Sequence, residues 1–140
     1  SMGNKEKAIA MFKKAIELDP DYAITYYNLG NVYSSIGNTE EAIAAFKKAI
    51  KINPDLPDLV SAYNNLGLLY HDANKYQEAI ALYKKAIELN PNYAVAYNNL
   101  AVTYYYNKQY DLAVQHCNKA IELGYNVNSE FLKALEPYRK

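Results

Sequence analysis

The sequence repeats itself every 34 residues, and that period limits the fold more than any other property of the chain. Residues 23–56 read AITYYNLGNVYSSIGNTEEAIAAFKKAIKINPDL, residues 60–93 read VSAYNNLGLLYHDANKYQEAIALYKKAIELNPNY, and residues 94–127 read AVAYNNLAVTYYYNKQYDLAVQHCNKAIELGYNV. A period of this length means stacked copies of one supersecondary unit, each too small to bury its own apolar faces. Ahead of the blocks, residues 3–22 match only the second half of a block, so they are expected to be the orphan second helix of a truncated repeat. Behind them, residues 128–140 match no block and are expected to form a capping helix. Ser1-Met2 reads as an appended pair.

Inside a block the apolar spacing is helical. Tyr63, Leu66, Gly67 and Tyr70 fall on one face, and Ala79, Tyr83 and Ala86 fall on another. A short polar linker, Ala73-Asn74-Lys75, separates the two stretches. Pro20, Pro54 and Pro91, each after Asp or Asn, close three of the second helices. Each block is therefore predicted to be a helix, a tight turn and a second helix. Gly67, Ala79 and Ala86 are small enough to let the two helices approach closely. Pro54 to Gly67 is three residues longer than Pro20 to Gly30, and residues 57–59 read as an insertion. Proline suits the first turn of a helix, so the first helix of the 60–93 block is predicted to start one turn early.

Tyr63, Leu66, Gly67, Tyr70, Ala79, Tyr83, Ala86 and Pro91 together resemble the tetratricopeptide repeat. The same signature stands at Tyr26, Leu29, Gly30, Tyr33, Ala42, Phe46, Ala49 and Pro54. The third copy departs from it: Ala101 replaces the glycine, Cys117 the aromatic and Tyr125 the proline. The resemblance covers about residues 3–127. It implies an all-α fold, a right-handed α-solenoid of antiparallel hairpins whose first helices line a concave groove.

On that expectation a second stripe of each first helix faces the groove. Its candidate peptide-binding residues are Tyr27, Asn28 and Asn31, then Asn64, Asn65, Leu68 and His71, then Asn98, Asn99, Val102, Tyr105 and Tyr106. Asn28, Asn65 and Asn99 hold equivalent places, each just before the leucine of its block. Asparagine is a poor helix former, but its amide can pair with a peptide C=O and N–H together. Some family members bind extended peptides through such an Asn ladder. The other reading is that this Asn bonds the neighbouring helix and sets the repeat spacing. Eleven of the 16 tyrosines match large-residue places in the repeat and are expected to pack. Tyr27, Tyr105 and Tyr106 are surplus and fall on the groove stripe, where a rigid ring with a polar tip suits a binding anchor.

Other functions have less to stand on. The 15 acidic and 15 basic residues cancel, so neither a nucleic acid nor a membrane is an expected partner. The single Cys117 suggests a reducing compartment such as the cytoplasm. No cofactor or metal motif appears, and no catalytic residues are assigned. His116 and Cys117 are neighbours on a helix and point about 100° apart. His71-Asp72 reads as groove lining rather than as a base. Family members that hold acidic chaperone C-termini use a clamp of cations, and those places fall here on Tyr27, Val95 and Asn99. Binding of such tails is therefore not expected. The orphan N-terminal helix shows Ile9, Phe12 and Ile16 on one face, so self-association is the alternative to peptide binding. The near-consensus regularity also admits an idealised array with no natural ligand. In the capping segment, Phe131, Leu132 and Leu135 are expected inward, and Lys133, Glu136, Arg139 and Lys140 outward.

Overall fold

The computed structural model describes residues 1–139. Eight α-helices follow one another: α1 (Met2–Leu18), α2 (Ala23–Ser35), α3 (Thr39–Ile52), α4 (Val60–Asp72), α5 (Tyr76–Leu89), α6 (Ala94–Tyr106), α7 (Tyr110–Glu122) and α8 (Ser129–Leu135). No strand occurs among the described residues. Lys140 lies outside them. Pro57–Leu59 form a 3-10 turn that runs directly into α4. The extra turn is thus present before α4, but in 3-10 rather than α geometry. The chain divides into two compact units, residues 1–66 and Gly67 onward, and the division falls inside α4.

In the first unit α1 packs on α2, and α2 pairs with α3. The chain leaves α1 and α3 at Asp19 and Asn53, whose N–H groups bond to Ala15 O and Ala49 O. Asp19 then folds its carboxylate onto the N–H of Asp21, 3.3 Å away, across Pro20. The first tyrosine of each block fastens the turn before it. Tyr26 donates to Pro20 O at 3.0 Å and Tyr63 to Pro54 O at 2.7 Å. In the second unit Tyr97 does the same to Pro91 O at 3.0 Å. These rings therefore pack, as the periodicity predicts, and their hydroxyls also satisfy carbonyls that proline-containing turns leave open.

The close approach inside each hairpin is set by a glycine under an aromatic ring. A Cβ added at Gly30 would lie 2.8 Å from the Phe46 ring, and one at Gly67 would lie 2.6 Å from the Tyr83 ring. Both rings are fully buried. The expected result of Gly67→Ala is therefore a net loss of stability. The helix gains about 1 kcal/mol in propensity, but forcing a methyl into a packed core costs about 1–3 kcal/mol. The Tyr83 ring is fully buried, so the larger value is expected. Thermal melts check this against Gly3→Ala, where a Cβ meets nothing within 4 Å and the propensity gain stands alone.

The third block explains its own departures. Ala101 and Cys117 are both fully buried in the core of the second unit. They stand at the places of Gly30 and Phe46, where a Cβ and the ring would collide, so the larger and the smaller residue are expected to compensate. Helix α7 ends on Gly124 at φ +93°. Gly124 N–H bonds Ile121 O, and Tyr125 N–H bonds Ala120 O at 2.9 Å, a left-handed Gly stop. Proline at 125 would have no N–H for that second bond. Asn128 then caps α8 by accepting from the N–H groups of Glu130 and Phe131. Leu135 is buried, Phe131 and Leu132 pack on the same core, and Lys133 and Glu136 are exposed. Arg139 also lies at the surface, where it donates to Asn118 Oδ1 at 2.8 Å and approaches Cys117 Sγ at 3.9 Å.

Candidate functional site

The candidate groove residues do not all behave alike. In the first unit Asn28, Asn31 and Asn65 are half-buried. Asn65 Nδ2 donates to Asn31 Oδ1 at 3.0 Å, from α4 to α2. This bond is the helix-to-helix contact that the spacing reading of the asparagines requires. It also holds two amides side by side at the surface. Asn64, the first Asn of its NNL triplet, is only 3% exposed, so it is a polar core residue and does not reach a groove. The Tyr27 ring leans on Phe46 with centroids 6.2 Å apart, which commits much of it to packing.

In the second unit Asn98, Asn99 and Val102 are half-buried, Leu68 is exposed, and Tyr106 is 56% exposed. Tyr105 is the centre of an aromatic cluster with Tyr106, Tyr110, Phe131 and Tyr138, at centroid distances of 5.5–6.4 Å. It anchors the capping segment rather than standing free. The surplus of tyrosine therefore has two causes: Tyr27 and Tyr105 serve packing, and Tyr106 alone of the three is exposed.

His71 combines a side-chain hydrogen bond with two ring contacts. Its Nδ1 lies 2.9 Å from Thr103 Oγ1, and Thr103 is fully buried. The Thr103 hydroxyl donates to Asn99 O at 2.8 Å. The imidazole ring touches Tyr76 and Tyr106, with centroids 5.3 and 5.4 Å away. Burial lowers the His71 pKa below its ordinary 6.5, and the Asp72 charge acts the other way. Sequence reasoning placed His71 on the stripe but missed Thr103. A signal was there: Thr103 stands where the other blocks carry Val32 and Leu69, so one block alone has a hydroxyl at that core position.

His116 and Cys117 are held within the fold. His116 bonds Leu112 O through Nδ1 at 2.8 Å, and its ring packs on Tyr97 and Tyr104. Burial lowers its pKa and raises that of the Cys117 thiol, against the pull of Arg139. A raised thiol pKa is the opposite of what a nucleophile needs. On α1, Ile9, Phe12 and Ile16 are half-buried, because α1 lays this stripe on α2. The large apolar residues that α1 leaves exposed are Met2, Met11 and Leu18.

Models of the tetratricopeptide repeat match residues 21–92 and 82–115, and a TPR repeat model matches residues 1–37. Two crystal structures of proteins named MamA are similar to the chain. One is 33% identical with a TM-score of 0.78 over 95% of this chain and 72% of that one. The other is 34% identical with a TM-score of 0.77 over 87% of this chain and 65% of that one. A third, MamA RS-1 ArsTM double mutant, is 21% identical with a TM-score of 0.78, over 88% of this chain and 67% of that one, and shares the fold. No curated protein matches the chain.

Proposed function

Because this chain belongs to the tetratricopeptide repeat family, whose repeats are protein-interaction modules, we propose that it is a non-enzymatic scaffold that holds an extended, weakly charged peptide segment of another protein against its first helices. The observation that carries this reading is the amide pair at Asn31 and Asn65. Their bond uses one N–H of Asn65 and one lone pair of Asn31. Left over are the Asn65 Oδ1 and the Asn31 N–H groups, an acceptor beside donors. That set complements the N–H and C=O of an extended backbone without regard to its side chains. Each amide already orients the other, which reduces the ordering cost of binding. Asn28 adds a further half-buried amide in the first unit, and Asn98 and Asn99 supply amides in the second.

A peptide-library screen of wild type and of the Asn28→Ala/Asn65→Ala/Asn99→Ala variant tests the reading, with circular dichroism melts of both. We expect wild type to select peptides and the variant to lose them by tenfold or more. The variant should stay folded and melt somewhat earlier, since each side-chain hydrogen bond lost is worth about 1 kcal/mol. Wild type that selects nothing, with a variant that melts far earlier, would assign the asparagines to holding the repeats together. A peptide ending in EEVD should not bind at micromolar concentration, because Tyr27, Val95 and Asn99 supply no cation for its carboxylates.

Self-association through α1 is the second reading, and the exposure of Met11 (71%) and Leu18 (80%) favours it. Light scattering that finds only monomer at high concentration would end it.

A further inference from the structure

The contacts of Thr103 determine where the proton of His71 sits. Thr103 has one hydroxyl proton and two partners, Asn99 O at 2.8 Å and His71 Nδ1 at 2.9 Å. A carbonyl oxygen can only accept, so the hydroxyl proton goes to Asn99. With the hydroxyl proton on Asn99 O, the imidazole is assigned as the donor, with its hydrogen on Nδ1. Neutral His71 consequently carries a bare lone pair on Nε2. Ring geometry sends that lone pair away from the buried Thr103.

What surrounds that lone pair narrows the choice of ligand. The ring lies against Tyr106, which is 56% exposed, and Tyr76. Tyr76 donates its own hydroxyl proton to Asn74 Oδ1 at 2.9 Å, so it does not serve as the donor to His71. The Tyr76 and Tyr106 rings stack at 27° with centroids 6.2 Å apart, and of the two Tyr106 is the exposed ring. Asp72 follows in the chain, exposed, and its charge acts on the imidazole. An acceptor, a flat ring surface and a nearby carboxylate suit a planar cation that has donors only. Among side chains that describes the arginine guanidinium.

We propose that His71 Nε2, with Tyr106 and Asp72, receives an arginine side chain of the bound segment, and that protonation of His71 releases it. This rests on the peptide-binding reading above. Protonation replaces the outward lone pair with an N–H and adds a positive charge facing a positive ligand. Both changes oppose binding. The Nδ1–H bond to Thr103 survives in either form, so the fold is not disturbed. The groups that face the imidazole are Asp72 on its own helix, Tyr76 on α5 and Tyr106 on α6. Tyr83 of α5 lies behind it, on the Thr103 side. Of these only Asp72 carries charge at neutral pH. Its effect on the ring is smaller than that of burial, so His71 is neutral at pH 7 and charges below its ordinary 6.5.

The test uses the whole chain and a phage-displayed random dodecapeptide library, selected at pH 7.5. Selected peptides should carry arginine, lose tenfold or more when citrulline replaces it, and bind tenfold more weakly at pH 5.0. The variant His71→Asn keeps a side-chain N–H for Thr103 but removes the outward acceptor and the titration. It should bind those peptides at least tenfold more weakly at pH 7.5, with a flat pH profile. Peptides that bind without arginine preference, equally at both pH values, would overturn the inference and leave the peptide-binding reading intact. A library that yields no binder would overturn both. Long-range 1H–15N couplings of wild type provide a readout that needs neither ligand nor variant: an Nε2–H tautomer at His71 would overturn the inference by itself.

Discussion

Replacing Tyr83 with alanine should cost about 3–5 kcal/mol of stability and lower Tm by roughly 10 °C or more, while Tyr83→Phe should cost nothing or stabilise. The ring is fully buried and lies over Gly67, so deleting it opens a cavity between two helices that no neighbour can fill. The hydroxyl is a different matter. It is buried and makes no hydrogen bond. Thr103 is close enough to influence it, but Thr103 gives its proton to Asn99 and is engaged by His71. A buried polar atom without a partner costs about 1–3 kcal/mol, and phenylalanine, already present at the equivalent Phe46, removes that cost. Burial also raises the Tyr83 pKa above its ordinary 10.0. Above pH 10 the unfolded chain loses this proton and the folded chain keeps it. Stability therefore falls as pH rises, by about 1.4 kcal/mol per pH unit for this group. Tyr83→Phe should flatten that part of the alkaline melting profile. An identical alkaline decline in both proteins would refute the assignment.

The second large effect is a coupling. Cys117→Phe by itself should destabilise by about 1–3 kcal/mol, because the new ring enters a fully buried site at the place that faces the Ala101 methyl. Ala101→Gly by itself should cost about 1 kcal/mol in helix propensity, plus a small cavity. The double variant rebuilds the Gly30/Phe46 arrangement of the first block. It should be more stable than Cys117→Phe alone, with an interaction energy of about 1–3 kcal/mol. Chemical denaturation of the four proteins measures it, and strict additivity would show that the two positions do not share one packing site.

These two cases show how far the sequence can be read. The 34-residue period, the positions of Gly30, Gly67, Phe46 and Tyr83, and the Asn-Pro and Asp-Pro stops identify the helices and hairpins, because helical spacing and backbone chemistry are local properties. The same period marked Ala101, Cys117 and Tyr125 as departures. Their reason was out of reach, since compensation between Ala101 and Cys117 is a matter of shared volume. Likewise, Tyr125 replaces proline because its N–H bonds Ala120 O, which becomes visible only once the helix end is built.

The site divides along the same line. Sequence alone determined which residues occupy the first helices and that Asn28, Asn65 and Asn99 hold equivalent places. The tertiary structure decided what each side chain does there. It buries Asn64, turns Tyr27 onto Phe46 and Tyr105 into the capping cluster, joins Asn65 to Asn31, and seats His71 on a hydroxyl from another block. A repeat pattern fixes the position of a residue along its own helix. Burial and hydrogen bonding depend on the neighbour that happens to face it, and that neighbour lies some 34 residues away in the chain.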